Sequence, residues 1–286
     1  MLRSFCIKTN NKKILNYLLN CFKSNTPSNF YLSKNNFKIY ENIIYHYTGE
    51  NEDLFLDYIS DRMQEIIIKF YESKLISNII NYNYFYFSDF EKKEINHLCT
   101  VLIEKGENAE LYDRKKVIFY LCREYIQENK TVVLDGFVNF RLKEYSNILE
   151  DIVETSVNTY VVKKEYNEFI NLLKIYIDSN NPSKDIVHLL YFNQESILLD
   201  NSKNVINFNY EISNAKYLSD ITFSSNDYCL NTLLNILPKK IYIHLLDKVE
   251  DEFITTLKSI FRKRVSICLN CDICNYYKTT KISTKN

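Results

Sequence analysis

The chain has no tryptophan, three glycines and three prolines in 286 residues, and its formal net charge is zero. Each scarcity excludes something. The glycines stand alone at 49, 106 and 136. Neither a Walker loop nor a dinucleotide fingerprint, each built on several close glycines, is available. There is also no Gly-x-Ser-x-Gly elbow and no His-Glu-x-x-His helix. The common nucleotide-dependent and hydrolytic enzymes are thereby set aside. A neutral chain exerts no global pull on nucleic acid or anionic membrane. No window holds 18 consecutive apolar residues, so no membrane-spanning helix is expected. The opening Met1-Leu-Arg-Ser-Phe-Cys-Ile-Lys-Thr meets charge before any useful apolar run, so no secretory signal is expected. A cytoplasmic setting follows. There, the eight cysteines are expected as thiols or metal ligands rather than disulfides.

What is present is ordinary for a globular protein: 46% hydrophobic and 25% charged residues. The 24 tyrosines and 18 phenylalanines accompany abundant lysine, asparagine and isoleucine. That is the bias of A/T-rich coding, and no function is read from it. Hydrophobic periodicity gives an α+β organisation in three parts. Residues 1–50 read as a small mixed unit, with strands at Leu2–Lys8, Phe30–Leu32 and Phe37–Tyr47 and a loop over Ser33–Asn36. Residues 51–180 read as helical, with Gly106 ending one helix and a break expected near Tyr160–Lys164. Residues 181–286 read as a second mixed unit. Its strands are expected at Ile186–Phe192, Ile197–Asp200, Val205–Phe208, Ile241–Leu246 and Val265–Leu269, with a polar tail from Lys278. Pro238 stops a helix and Ser179-Asn-Asn-Pro182 marks a boundary.

The segment Asp135-Gly-Phe-Val-Asn-Phe-Arg-Leu-Lys-Glu-Tyr145 reads as a helix start, with Asp135 as its N-cap. Gly136 suits a tight entry, with close packing of a neighbouring backbone expected. Phe137 and Phe140 are expected as core anchors, Leu142 and Tyr145 begin an apolar stripe, and Arg141 is expected to pair with an acidic group or a carbonyl. A partner-binding role for Arg141 and Lys143 is the competing reading. The pattern Gly136-Phe-Val-x-Phe-Arg-Leu-x-x-Tyr145 resembles the signature of the YtxC-like sporulation proteins of endospore-forming bacteria. Lys164–Asp178, Val187-His-Leu-Leu and Leu198-Leu-Asp200 are similar to the family further along. The resemblance implies a role in spore formation, through non-enzymatic binding or regulation with an unidentified protein partner. It implies no catalytic residue.

Cys268-Leu-Asn-Cys271-Asp-Ile-Cys274 is the sharpest chemical signal. Two successive Cys-x-x-Cys steps converge three thiolates without long loop closure. They supply three of four ligands for tetrahedral zinc or for an iron–sulfur cluster. The fourth must come through the fold; Cys229 is the first candidate and His244 the second, with Cys6, Cys21 and His188 behind them. A thiol redox pair, and cysteines without a role, are the competing readings. Cys99 and Cys122 lie on apolar helical stripes and read as small buried hydrophobes. Lys258, Arg262, Lys263 and Arg264 give a weaker alternative, nucleic-acid binding beside a zinc-knuckle-like turn. Glu250, Asp251 and Glu252 at the other end of the same helix explain those basic residues as complements of its dipole.

Overall fold

The computed structural model describes residues 2–24, 26–36, 40–105, 109–206, 224–268 and 270–283. The chain is an α+β protein that clusters into two compact units, Met1–Val162 and Lys163–Asn286.

In the first unit, β1 (Arg3–Thr9), β2 (Phe30–Asn36), β3 (Glu41–Tyr47) and β4 (Thr131–Val133) form a sheet in the order β2-β3-β1-β4. Only β4 runs parallel to its neighbour β1. Alternate residues Phe5 and Ile7 on β1, and Ile43, Tyr45 and Tyr47 on β3, point into the core, as period-two strands must. Ser33–Asn36 continues β2 instead of forming a loop; residues 37–39, part of the next expected strand, lie outside the described residues. α1 (Lys12–Ser24) follows β1. The helices α2 (Glu52–Ile66), α3 (Glu72–Asn83), α4 (Asp89–Lys105) and α5 (Ala109–Glu128) lie between β3 and β4 in the chain. Between α2 and α3 the chain makes one π-helical turn, Ile67–Tyr71, which sequence periodicity did not reveal. The expected helix stop at Gly106 falls outside the described residues.

The signature segment forms a short helix, α6 (Leu134–Arg141), with Val133 rather than Asp135 at the N-cap position and no side-chain cap. Asp135 instead accepts a hydrogen bond from the Tyr71 hydroxyl at 2.9 Å. Phe137 is buried edge-on to Tyr125, with ring centroids 4.9 Å apart. Phe140 is 81% exposed, so it is no core anchor. At about 100° per residue it lies about 110° from the centre of the face that buries Leu134, Phe137 and Val138. Gly136 has open space where a Cβ would project, so no neighbouring backbone requires a glycine. Arg141 is exposed, and the expected ion pair is absent among the described residues. The helical path breaks at Leu142 (φ −97°, ψ 41°), and α7 (Lys143–Ser179) then runs unbroken through the expected break at Tyr160–Lys164. Its buried Tyr145 donates to Glu72 at 2.6 Å, and Glu72 also pairs with Arg114 at 3.0 Å.

In the second unit, β5 (Lys184–Phe192), β6 (Glu195–Leu199), β7 (Pro238–Leu245) and β8 (Val265–Cys268) form a sheet in the order β6-β5-β7-β8. β5, β7 and β8 are parallel and β6 is antiparallel to β5. Of the expected return strand, Val205 makes an isolated bridge to Leu199, and residues 207–208 lie outside the described residues. Val187, Leu189, Tyr191, Ile241 and Ile243 share one face of the sheet. They pack with the C-terminal part of α7, with α8 (Ser225–Ile236) and with α9 (Glu252–Phe261). Alternation puts His188, Tyr242 and His244 on the opposite face. The expected polar tail is in large part a helix, α10 (Asp272–Ser283).

Candidate metal centre

The parallel register sets the site. His244 on β7 and Cys268 on β8 are ladder partners. Side chains of residues directly opposite in a sheet emerge on the same face, so this pairing brings an imidazole and a thiol together. The chain then turns at once into α10. The Cys271 carbonyl accepts the Asn275 amide at 3.0 Å, which places Cys271 at the helix start and Cys274 one turn further along. Two strand ends and one helix start thus supply all four groups.

Their ligating atoms, His244 Nδ1 and the three sulfurs, all lie within 4.8 Å of one another. His244 Nδ1 stands 3.3 Å from Cys274 Sγ and 3.5 Å from Cys271 Sγ. Cys274 Sγ is 3.8 Å from Cys268 Sγ and 3.7 Å from Cys271 Sγ. These separations are far too long for disulfides, and the three cysteines are free. These four separations match the edges of a tetrahedron around one ion. With Zn–S near 2.3 Å and Zn–N near 2.0 Å, the S···S edges come to about 3.8 Å and the N···S edges to about 3.5 Å.

His244 and Cys274 are buried, whereas Cys268 and Cys271 are half-buried. Burial, and then the neighbouring His188, lower the His244 pKa to about 4. The ring is therefore neutral near pH 7, the form that ligates metals. Burial, and then hydrogen bonding with the other thiols, push Cys274 up to about 12. Burial raises Cys268 as well. Cys271 is lowered, because the Cys274 and Ile273 amides and the adjacent thiols outweigh its own burial. A thiolate at a helix start gains in this way from the unpaired amides there.

Behind the cluster, His188 Nδ1 lies 3.0 Å from His244 Nε2. His188 stacks on Tyr242, at 5.4 Å and 19°, and Lys240 Nζ sits 5.0 Å from the Tyr242 ring centre. Burial lowers the His188 pKa, with Lys203 adding to the effect.

Cys229, the first candidate for the fourth ligand, is not part of this group. It lies on α8 within the second unit's core, where burial drives its thiol up to about 12. Cys6 and Cys21 belong to the first unit and are likewise absent from the group. Cys99 and Cys122 are fully buried on their helices. Three of the four basic residues ahead of β8 have partners within the unit. Lys258 pairs with Glu250 at 2.7 Å and Arg262 with Asp178 at 3.4 Å. Arg264 donates to the carbonyls of Pro238 and Ile177, at 3.3 and 3.1 Å. His46, in the first unit, bridges the hydroxyls of Ser4 and Ser33 at 2.8 and 2.9 Å.

The YtxC-like family model matches residues 57–266. The chain belongs to the YtxC-like family. A relative described as "Uncharacterized protein YtxC", from Bacillus subtilis (strain 168), is 25% identical over 222 residues, covering 72% of this chain and 75% of that protein. No solved structure matches. The family match spans α6, α7 and both histidines, and it stops two residues before Cys268. The three cysteines therefore rest on this YtxC-like chain's own geometry. No helix among the described residues is long and apolar enough to cross a membrane.

Proposed function

We propose that this chain is a non-enzymatic, sporulation-associated protein of the YtxC-like family whose C-terminal helix is clasped by one zinc ion, held by His244, Cys268, Cys271 and Cys274. The observation that carries the clasp is the mutual approach of the four ligating atoms, all within 4.8 Å. The close sulfur contacts favour a single ion. A four-iron cluster would assign each ligand to a different iron and hold the sulfurs apart by the width of the cluster. Four protein ligands also leave no open position for water or substrate, which is the arrangement of structural rather than catalytic zinc. Three thiolates suit a reducing compartment, in keeping with a cytoplasmic protein.

The clasp has a mechanical reason. Of the α10 side chains described, Cys274 alone is buried, so hydrophobic packing contributes little to holding this helix on the sheet. A structural zinc site contributes on the order of 10 kcal/mol. The role in spore formation rests on the resemblance of the Gly136–Tyr145 signature. It predicts a partner protein rather than a substrate.

Elemental analysis and a visible spectrum of the full-length protein, purified without oxygen, test the clasp. About one zinc per chain and no visible absorbance are expected. Near-stoichiometric iron with visible charge-transfer bands would replace zinc by a cluster, and the absence of both metals would remove the clasp. Deleting the gene in an endospore-forming host is expected to lower spore yield; unchanged yield would remove the sporulation role.

A further inference from the structure

We infer that His188 is a positioning residue for the zinc centre: it accepts the Nε2 proton of His244 and so fixes the tautomer in which Nδ1 is free to bind the ion. This inference rests on the zinc reading of the same site.

His244 has two ring nitrogens with different surroundings. Nδ1 faces two sulfurs, at 3.3 and 3.5 Å. Nε2 faces His188 Nδ1, at 3.0 Å. A neutral imidazole carries one proton, and a nitrogen bound to metal cannot keep it. With zinc on Nδ1, the His244 proton must sit on Nε2. A buried N–H there needs an acceptor, and the ring nitrogen of His188 lies within hydrogen-bond distance of it. His188 must then present its Nδ1 lone pair and carry its own proton on Nε2. Both rings are thereby assigned from one contact.

The surroundings hold this arrangement in place. His188 is on β5 and His244 on the adjacent parallel strand β7, with Leu190 opposite His244 in the ladder. The two histidines are therefore diagonal neighbours on one face. Tyr242, opposite His188, stacks on its ring and restrains the imidazole plane. Partners that orient a ligating histidine typically change metal affinity by 10- to 100-fold when removed.

The chemistry predicts which replacement works. The Asn Oδ1 atom occupies nearly the same position along its side chain as His Nδ1 and accepts a hydrogen bond. Leucine fills similar space and accepts none. The full-length protein and its His188→Asn and His188→Leu variants are compared for zinc affinity by competition with a chromophoric chelator. The cobalt-substituted forms are compared for their absorption bands. Circular dichroism and denaturation midpoints establish that both variants are folded.

His188→Leu is expected to weaken zinc about 10- to 100-fold and to shift the cobalt bands, with His188→Asn within about threefold of the parent. Equal affinities in all three would overturn the role of His188 while leaving the four-ligand site standing. Equal losses in both variants would also overturn it, because removal of the stacked ring rather than of the acceptor would then explain the effect. A parent protein that binds no zinc overturns the site and this inference together.

Discussion

Phe137 and Phe140 are three residues apart in the signature and carry the same side chain in opposite settings. Phe137 is buried against Tyr125, whereas Phe140 projects into solvent. Truncating Phe137 to alanine is expected to cost about 3–5 kcal/mol, through lost transfer energy and the cavity left behind. Truncating Phe140 is expected to stay within about 0.5 kcal/mol. Chemical denaturation of the two variants separates them; similar losses would mean that Phe140 is covered in solution. Gly136 yields an opposite sign. It lies in the interior of α6 with open space where a Cβ would project. Gly136→Ala should therefore stabilise by about 0.4–1 kcal/mol, mainly by reducing the freedom of the unfolded chain. A lower denaturation midpoint would contradict this. Tyr145 donates within a buried group containing Glu72 and Arg114. Burial, and then the Glu72 carboxylate, raise its pKa well above the usual tyrosine range. Tyr145→Phe keeps the ring but removes one donor to that carboxylate. It is expected to lower the midpoint by the equivalent of about 1–3 kcal/mol.

Among the elements, α10 depends most on chemistry rather than packing. It follows β8 directly and meets the sheet through Cys271, Cys274 and His244. Zinc removal by a strong chelator, or Cys274→Ser, should release it while β5, β7 and the helices α8 and α9 keep their hydrophobic core. Limited proteolysis tests this at Lys278, which lies on α10. Cleavage there should accelerate severalfold on chelation, with the rest of the second unit resistant. Equal cleavage rates with and without metal would show that α10 is held by something else. α7 offers the contrasting case, in which apolar residues at three- and four-residue steps (Tyr145, Leu149, Ile152, Val153, Val157) bury one face of a helix without any ion.

Across the whole molecule, local patterns carried further than long-range ones. The α+β class was legible because strand and helix periods differ within a few residues. The three cysteines were legible because their spacing is local. Their fourth partner was not. Cys229 and His244 are both distant in sequence from Cys268, and only the β7–β8 register puts His244 directly opposite it. Chemistry alone favoured a fourth sulfur; topology supplied a nitrogen. The break at Leu142 and the π-helical turn at Ile67–Tyr71 were missed for a related reason. Both preserve apolar residues at nearly helical spacing, so no change of period marks them. Phe140 lies before the break, and its exposure follows instead from its angle to the face of α6 that buries Leu134, Phe137 and Val138. The partner of His244, on β5, required the order of the parallel strands and was equally hidden.

X-ray absorption at the zinc edge of the full-length, anaerobically purified protein tests the central claim most directly. Three sulfurs at about 2.3 Å and one nitrogen at about 2.0 Å around a single zinc are predicted. A zinc shell made only of oxygen and nitrogen, or the absence of bound zinc, would contradict the account.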